Sequence, residues 1–370
     1  MDMKSTLIAL SLSAAIASVS AFAQASHKER LDAFLLNEMK EGQLEMMSVA
    51  FEQHGEVKYV FAEGPRATEP THVASVTKVV TAILLTQLAE EGKICYNDYV
   101  QRYIPLFPTN NVTILHLMTH SSGWRNRGGH SKAPGQAEKF YGTMFKEFET
   151  GERFRYMSQG YDILAEICEK VTGYSDVADL VRDRIFAPLG MTQSAFASHQ
   201  GQAGLHITAP DLIRFGRHLL DIKKTRKNGI LTPESVDAMF SKCLKPEFNR
   251  TPAFFMKSGY IGFGQYFASV NTMEAVGHAG ATGCFFLIDP GLDAVEVVLT
   301  NRQNERDTHF SSCDGNFSRI FAYMITSFGD HPIGDRDNLK SGEFGLQIDR
   351  VKAAAESERV AAKQAKELGL

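Results

Sequence analysis

The stretch Ala74-Ser75-Val76-Thr77-Lys78-Val79-Val80-Thr81-Ala82-Ile83-Leu84-Leu85 decides how this chain is read. Apolar residues recur at helical spacing from Thr71 to Glu91 and stop at Gly92, which predicts a helix over 71–91. Three positions along a helix is nearly one turn, so Ser75 and Lys78 share a face. A serine hydroxyl is a weak nucleophile unless a base lies within hydrogen-bond reach. A lysine serves as that base when burial or a second cation lowers its pKa. The helix N-terminus adds oriented N–H groups that favour a developing oxyanion. The bland alternative is an ordinary helix start with Ser75 as its cap, and Ser-x-x-Lys alone arises by chance in many helices.

Outward from this stretch, Glu45 to Gln53 and Glu56 to Ala62 read as strands of a hairpin about His54-Gly55. Residues 93–200 read mostly as helix and loop, with a Gly- and Pro-containing stretch from Arg125 to Gln136. Phe154 to Thr172 reads as a turn running into a helix stopped by Gly173. Ala209 to Ile222 reads as a helix with Pro210 in its first turn. Residues 259–301 are strand-rich, and Gly283 to Ile288 and Ala294 to Thr300 form a second hairpin around Asp289-Pro290-Gly291. Gly315 to Phe328 reads as a helix. Strands at both ends with helices between predict an α/β fold of the α+β type. Residues 24–92 and 201–330 would build the sheet domain and 93–200 a helical subdomain inserted into it. Residues 331–370 would form a C-terminal extension, with a charged helix over Val351 to Leu370.

The chain has 370 residues, 44% hydrophobic and 22% charged, which excludes wholesale disorder. Its 39 Lys and Arg against 43 Asp and Glu leave −4, so there is no general electrostatic case for nucleic acid or an anionic membrane surface. Lys4, the uncharged run Ser5 to Val19 and Ala21-Phe22-Ala23 read as a secretory signal peptide over residues 1–23. A membrane anchor is the weaker reading of so short and Ser-diluted a run. The expected location is the periplasm or outside the cell, without a lipoprotein cysteine or a stable anchor. The five cysteines are widely spaced with no Cys-x-x-Cys, and buried free thiols are expected.

Several segments, in order, resemble the penicillin-recognising serine hydrolases: class C β-lactamases, DD-peptidases and family VIII esterases. They are Ala74-Ser75-Val76-Thr77-Lys78, Val112 to Gly123 (VTILHLMTHSSG), Ile185 to Met191, Gly204 to Leu212, and Gly277-His278-Ala279-Gly280. The resemblance spans about residues 30 to 328. It implies an antiparallel sheet flanked by helices, with the active site between the sheet and a helical subdomain. It also implies Ser75 as the acylated nucleophile, Lys78 as its partner, and Tyr156 as the proton shuttle at the Tyr-x-Asn position. A tyrosine titrates near pH 10, so two cations, Lys78 and a protonated His278, are needed to lower it. His278-Ala279-Gly280 stands for the family's Lys-Thr-Gly. Gly280 would let substrate backbone approach the edge strand, and Ala281 would supply the second oxyanion N–H beside that of Ser75.

Ser158 replaces the Asn of Tyr-x-Asn, and a shorter, single-donor side chain weakens the case for β-lactam or D-Ala-D-Ala recognition. Tyr-x-Ser with Asp162 and Leu164 looks more like the esterases and 6-aminohexanoate-dimer hydrolases. No dedicated deacylating carboxylate stands out. His116 and His120 could share a helix face, but the Glu of a zinc motif and a third ligand are missing, so they read as structural. The basic run Lys223 to Lys227 reads as a solvated loop. Trp124, Tyr260 and Phe263 are candidate cleft walls against the commoner core role. The expectation is an exported serine hydrolase without metal or cofactor, acting on a small-molecule or short-peptide ester or amide through an acyl-enzyme. A β-lactamase or DD-peptidase is the alternative within the class, and a non-catalytic binding or sensing protein the alternative outside it.

Overall fold

The computed structural model describes residues 26–125, 137–241, 250–257, 266–302 and 316–330. The chain divides into a unit spanning Met1–Gly329 and a second, Asp330–Leu370. The expected signal peptide, residues 126–136, Tyr260, Phe263, Cys243, Cys313 and the expected C-terminal helix lie outside the described residues.

The first unit opens with α1 (His27–Glu41), then the hairpin β1 (Met47–Gln53) and β2 (Glu56–Glu63). His54, with φ +57, and Gly55, with φ +83, make its turn. After β3 (Thr71–His72) and a short turn come α2 (Thr77–Glu90), α3 (Ile114–Met118), β4 (Trp124–Arg125), α4 (Ala137–Gly142) and β5 (Phe145–Lys146). There follow α5 (Gln159–Thr172), α6 (Val177–Val181), α7 (Ala187–Leu189), β6 (Ser194–Phe196), β7 (Leu205–Ile207), α8 (Ala209–Thr225) and α9 (Pro233–Met239). The unit ends with β8 (Phe255–Met256), β9 (Val276–Gly280), β10 (Cys284–Asp289), β11 (Ala294–Thr300) and α10 (Asn316–Phe328).

Six strands form the main sheet in the order β2-β1-β11-β10-β9-β8, with every neighbouring pair antiparallel. The sheet therefore joins strands from both ends of the chain, as the two hairpins implied. Side chains alternate across it. Phe286 meets Phe215 of α8 on one face, while Phe285 meets Phe317 and Phe321 of α10 on the other. Covered on both faces, β10 and β11 are buried along their whole length, which is why they read as continuous apolar runs.

Helix α2 is buried from Thr77 to Leu88, so its apolar residues run all round it rather than along one stripe. The expected helix start at 71 is corrected: Thr71–His72 pairs with His206–Ile207, and Ala74–Val76 is a 3-10 turn. Val73 N–H bonds to Leu205 O and Ala74 sits at φ +44, so regular helix begins only at Thr77. Helix α5 ends where Gly173 takes φ +79, a left-handed cap that suits glycine. Cys168 and Cys284 are buried and free, but Cys95 is exposed, against the expectation of burial. No helix among the described residues is long and apolar enough to cross a membrane.

Candidate active site

Ser75 is half-buried in the 3-10 turn that feeds α2. One turn on, Lys78 is fully buried, with Nζ 2.9 Å from Ser75 Oγ and 2.9 Å from the Gln202 carbonyl oxygen. Burial lowers its pKa to about 7, helped by the charge of Arg250 and opposed by Asp162. Asp162, on α5, is itself buried and accepts from the backbone and side-chain nitrogens of Gln202 at 3.2 and 2.6 Å. The carboxylate thereby fixes the residue whose carbonyl holds Lys78.

Tyr156 lies in the segment leading into α5, and Lys78 Nζ stands 5.1 Å from the centre of its ring. Burial raises the phenol above its ordinary value of 10, while hydrogen bonding with Ser75 and Ser158 and the charge of Arg250 act the other way. Ser158 is half-buried and occupies the N-cap position of α5, where it makes no side-chain cap bond.

His278 lies on β9, buried against the ring of Phe255 at 5.0 Å. Its Nδ1 is 2.8 Å from the Ala279 carbonyl, an acceptor only, so Nδ1 carries the proton and Nε2 the lone pair. Burial and the charges of Arg250 and Lys78 hold its pKa well below the ordinary imidazole value. This corrects the expected protonated His278, which cannot supply the second cation beside Tyr156. Arg250 does. It is buried, stacks 4.3 Å from the centre of Phe255 and donates from Nη2 to Tyr161 Oη at 3.1 Å. Nothing periodic in the sequence around Arg250 signals this role.

Gly280 also has a packing role that the resemblance does not imply. A side-chain carbon there would lie 2.2 Å from the Val73 carbonyl oxygen and 3.6 Å from Ala74 Cβ. The glycine lets β9 pack directly on the backbone just before Ser75. Ala281 is the exposed first residue of the turn after β9. Arg302 straps the same turn, donating from Nε and Nη2 to Ala281 O at 3.2 and 2.8 Å. Gly280→Ala is expected to force β9 off Ser75. It should destabilise the fold by roughly 1–3 kcal/mol and slow any Ser75 chemistry more than tenfold. Urea unfolding with a turnover assay checks this, and wild-type stability in the variant would refute the packing role.

The two histidines with zinc-like spacing are engaged separately. His116 Nδ1 caps the start of α3 through Thr113 N–H and Oγ1 at 3.2 and 2.9 Å. His120 Nδ1 accepts from Met157 N–H at 3.2 Å.

Known proteins are similar to this chain at three levels. The Beta-lactamase family model matches residues 31–311. A penicillin-binding protein of Bacillus subtilis is 36% identical over 135 residues, 33% of this chain and 29% of that protein. Penicillin-binding protein 4 of Amycolatopsis lactamdurans is 28% identical over 279 residues, 61% of this chain and 71% of the relative. The teichoic acid D-alanine hydrolase of Staphylococcus aureus is 31% identical over 180 residues, 45% and 44% of the two chains. Two of these three matches thus span less than half of the relative's own length. Among solved structures, a β-lactamase from Mycobacterium bovis superposes with TM-score 0.63 at 18% identity, covering 80% of this chain and 99% of the other. Simvastatin synthase from Aspergillus terreus does so with TM-score 0.65 at 17% identity, covering 81% and 98%. Identities this low speak for the fold, whereas the family model spans most of the chain. The chain belongs to the β-lactamase family, the penicillin-recognising serine hydrolases.

Proposed function

We propose that this chain is an exported serine hydrolase that cleaves a small ester or amide through an acyl-enzyme on Ser75. The observation that carries the reading is the buried Lys78 amine, 2.9 Å from Ser75 Oγ, whose pKa burial lowers to about 7, so that the neutral, proton-accepting amine is within reach near neutral pH. Neutral Lys78 takes the Ser75 proton as Oγ bonds to the substrate carbonyl carbon. The oxyanion sits between the N–H groups of Ser75 and Ala281. Tyr156 is held as a neutral phenol, so it works as a relay. It gives its proton to the leaving alcohol or amine and takes one from the Lys78 ammonium. In the second half Lys78 removes a proton from water, the hydroxide displaces the acyl group, and Ser75 regains its proton.

The relatives suggest the acyl group. One is named as a teichoic acid D-alanine hydrolase. Another, from Escherichia coli, is a D-alanyl-D-alanine carboxypeptidase and endopeptidase, 26% identical over 167 residues. A D-amino-acyl ester or amide is therefore the substrate class we favour. Ser158 in place of the family Asn argues against efficient use of β-lactams. Mature protein mixed with a D-alanyl ester, a D-alanyl amide or a penicillin, and followed by intact mass and substrate loss, tests this. Turnover of the D-alanyl ester with slow or no penicillin acylation is expected. A lasting penicillin adduct or fast drug loss would instead make it a penicillin-binding protein or β-lactamase. Failure with all three substrates and with a fluorophosphonate would favour a binding or sensing role.

A further inference from the structure

His120 brackets the segment that carries Tyr156. Its backbone carbonyl accepts from Arg155 N–H at 2.7 Å, and its ring Nδ1 accepts from Met157 N–H at 3.2 Å. The residues on both sides of Tyr156 are thus pinned to one histidine. Its ring also lies on the Tyr156 ring, with centres 4.2 Å apart and planes 31° apart. Phe154 closes on it edge-on at 5.7 Å, and Tyr161 flanks it at 5.4 Å. His120 is buried and adopts φ +56, a conformation that costs energy for a side chain other than glycine and persists only where its surroundings enforce it. Because Nδ1 accepts, the neutral ring carries its proton on Nε2. Burial, first of all, and the charges of Arg250 and Lys78 oppose any further proton.

We propose that His120 is a positioning residue that aims Tyr156 at Ser75 and Lys78 by holding the backbone on either side of it and stacking on its ring. The inference rests on the hydrolase reading for its kinetic effect and on the structure alone for its geometry. A neutral imidazole is suited to the task because it offers an acceptor, a flat face and no charge beside Lys78 and Arg250. The ring hydrogen bond from Met157 acts at a distance from the reacting atoms, so its loss should change kcat rather than substrate affinity.

The test compares His120→Phe, which keeps a flat ring but removes the acceptor, with His120→Asn. The Asn Oδ1 can stand in for Nδ1, and Asn tolerates positive φ. On the ester that the wild type turns over, His120→Phe is expected to lose about 10- to 100-fold in kcat with KM within about threefold. His120→Asn should recover most of that loss. Wild-type kcat in His120→Phe would overturn the proposal, as would equal losses in both variants with unchanged melting temperatures. A measurement on the unaltered chain covers the case in which the variants do not fold. In [15N]histidine-labelled protein, His120 should show the neutral Nε2–H form from pH 6 to 8, identified by its contact with the Tyr156 ring. A His120 carrying its proton on Nδ1 could not accept from Met157 and would refute the proposal. If the wild type turns over nothing, the hydrolase reading falls, while the tautomer still decides the His120 contact.

Discussion

Ser75→Ala is expected to abolish turnover, with a loss on the order of 1,000-fold or more and a melting temperature within about two degrees of wild type. The size of the effect follows from what the hydroxyl does. It is the atom that bonds to the acyl group, and no neighbouring nucleophile among the described residues replaces it beside Lys78. Fold stability should barely change, because Ser75 is half-buried in a short turn and removal of its Oγ leaves the buried Val76 and Thr77 packing intact. The check is a hydrolysis assay paired with intact mass: the wild type should show a transient adduct and the variant none. A Ser75→Ala variant that still turns over substrate at more than a tenth of the wild-type rate would end the acyl-enzyme mechanism.

Lys78→Met should produce two effects of opposite sign. Turnover should fall by about 100- to 10,000-fold, the usual worth of a positioned base. The wild-type rate should rise with pH through about 7 as Lys78 loses its proton, and this acid limb should vanish in the variant. Stability should increase. The folded pKa near 7 lies below the ordinary lysine value of 10.5, so at and below pH 7 the fold must bury an ammonium that the unfolded chain keeps in water. That penalty is full below about pH 7 and disappears as pH rises toward 10.5, where the amine is neutral in both states. At roughly 1.4 kcal/mol per tenfold change in proton affinity it amounts to about 5 kcal/mol at most. Loss of the hydrogen bonds to Ser75 and Gln202 offsets part of it, which leaves a net gain of roughly 2 kcal/mol at pH 6.5. Urea unfolding at pH 6.5 and 9.5 should show the gain shrinking with pH. A variant less stable than wild type at pH 6.5 would show that Lys78 is not held against its solvation preference.

Local pattern was enough for both hairpins and for helices α5, α8 and α10, though not for α9. Alternation or continuous apolar runs end at His54-Gly55 and Pro290-Gly291, and Gly173 stops α5 by a preference that glycine expresses whatever surrounds it. The same local reading misplaced the start of α2. Helical spacing continues through Thr71 to Val76, but β7 competes for Thr71 and His72 and wins by pairing with them. Ser75, Lys78, Tyr156 and His278 were legible through their order of motifs along the chain, which says nothing about their charge states. Those states come from residues distant in sequence. Arg250 supplies the cation expected from His278, Asp162 reaches Lys78 through Gln202, and His120 holds the backbone around Tyr156. Periodicity and motif spacing record preferences of neighbours within a few residues, so they specify strands, helices and candidate chemistry. Desolvation and Coulomb interactions depend on what folding brings within a few ångströms, so the neutral His278, the lowered pKa of Lys78 and the packing need for Gly280 arise only once the sheet and helices have closed around the site.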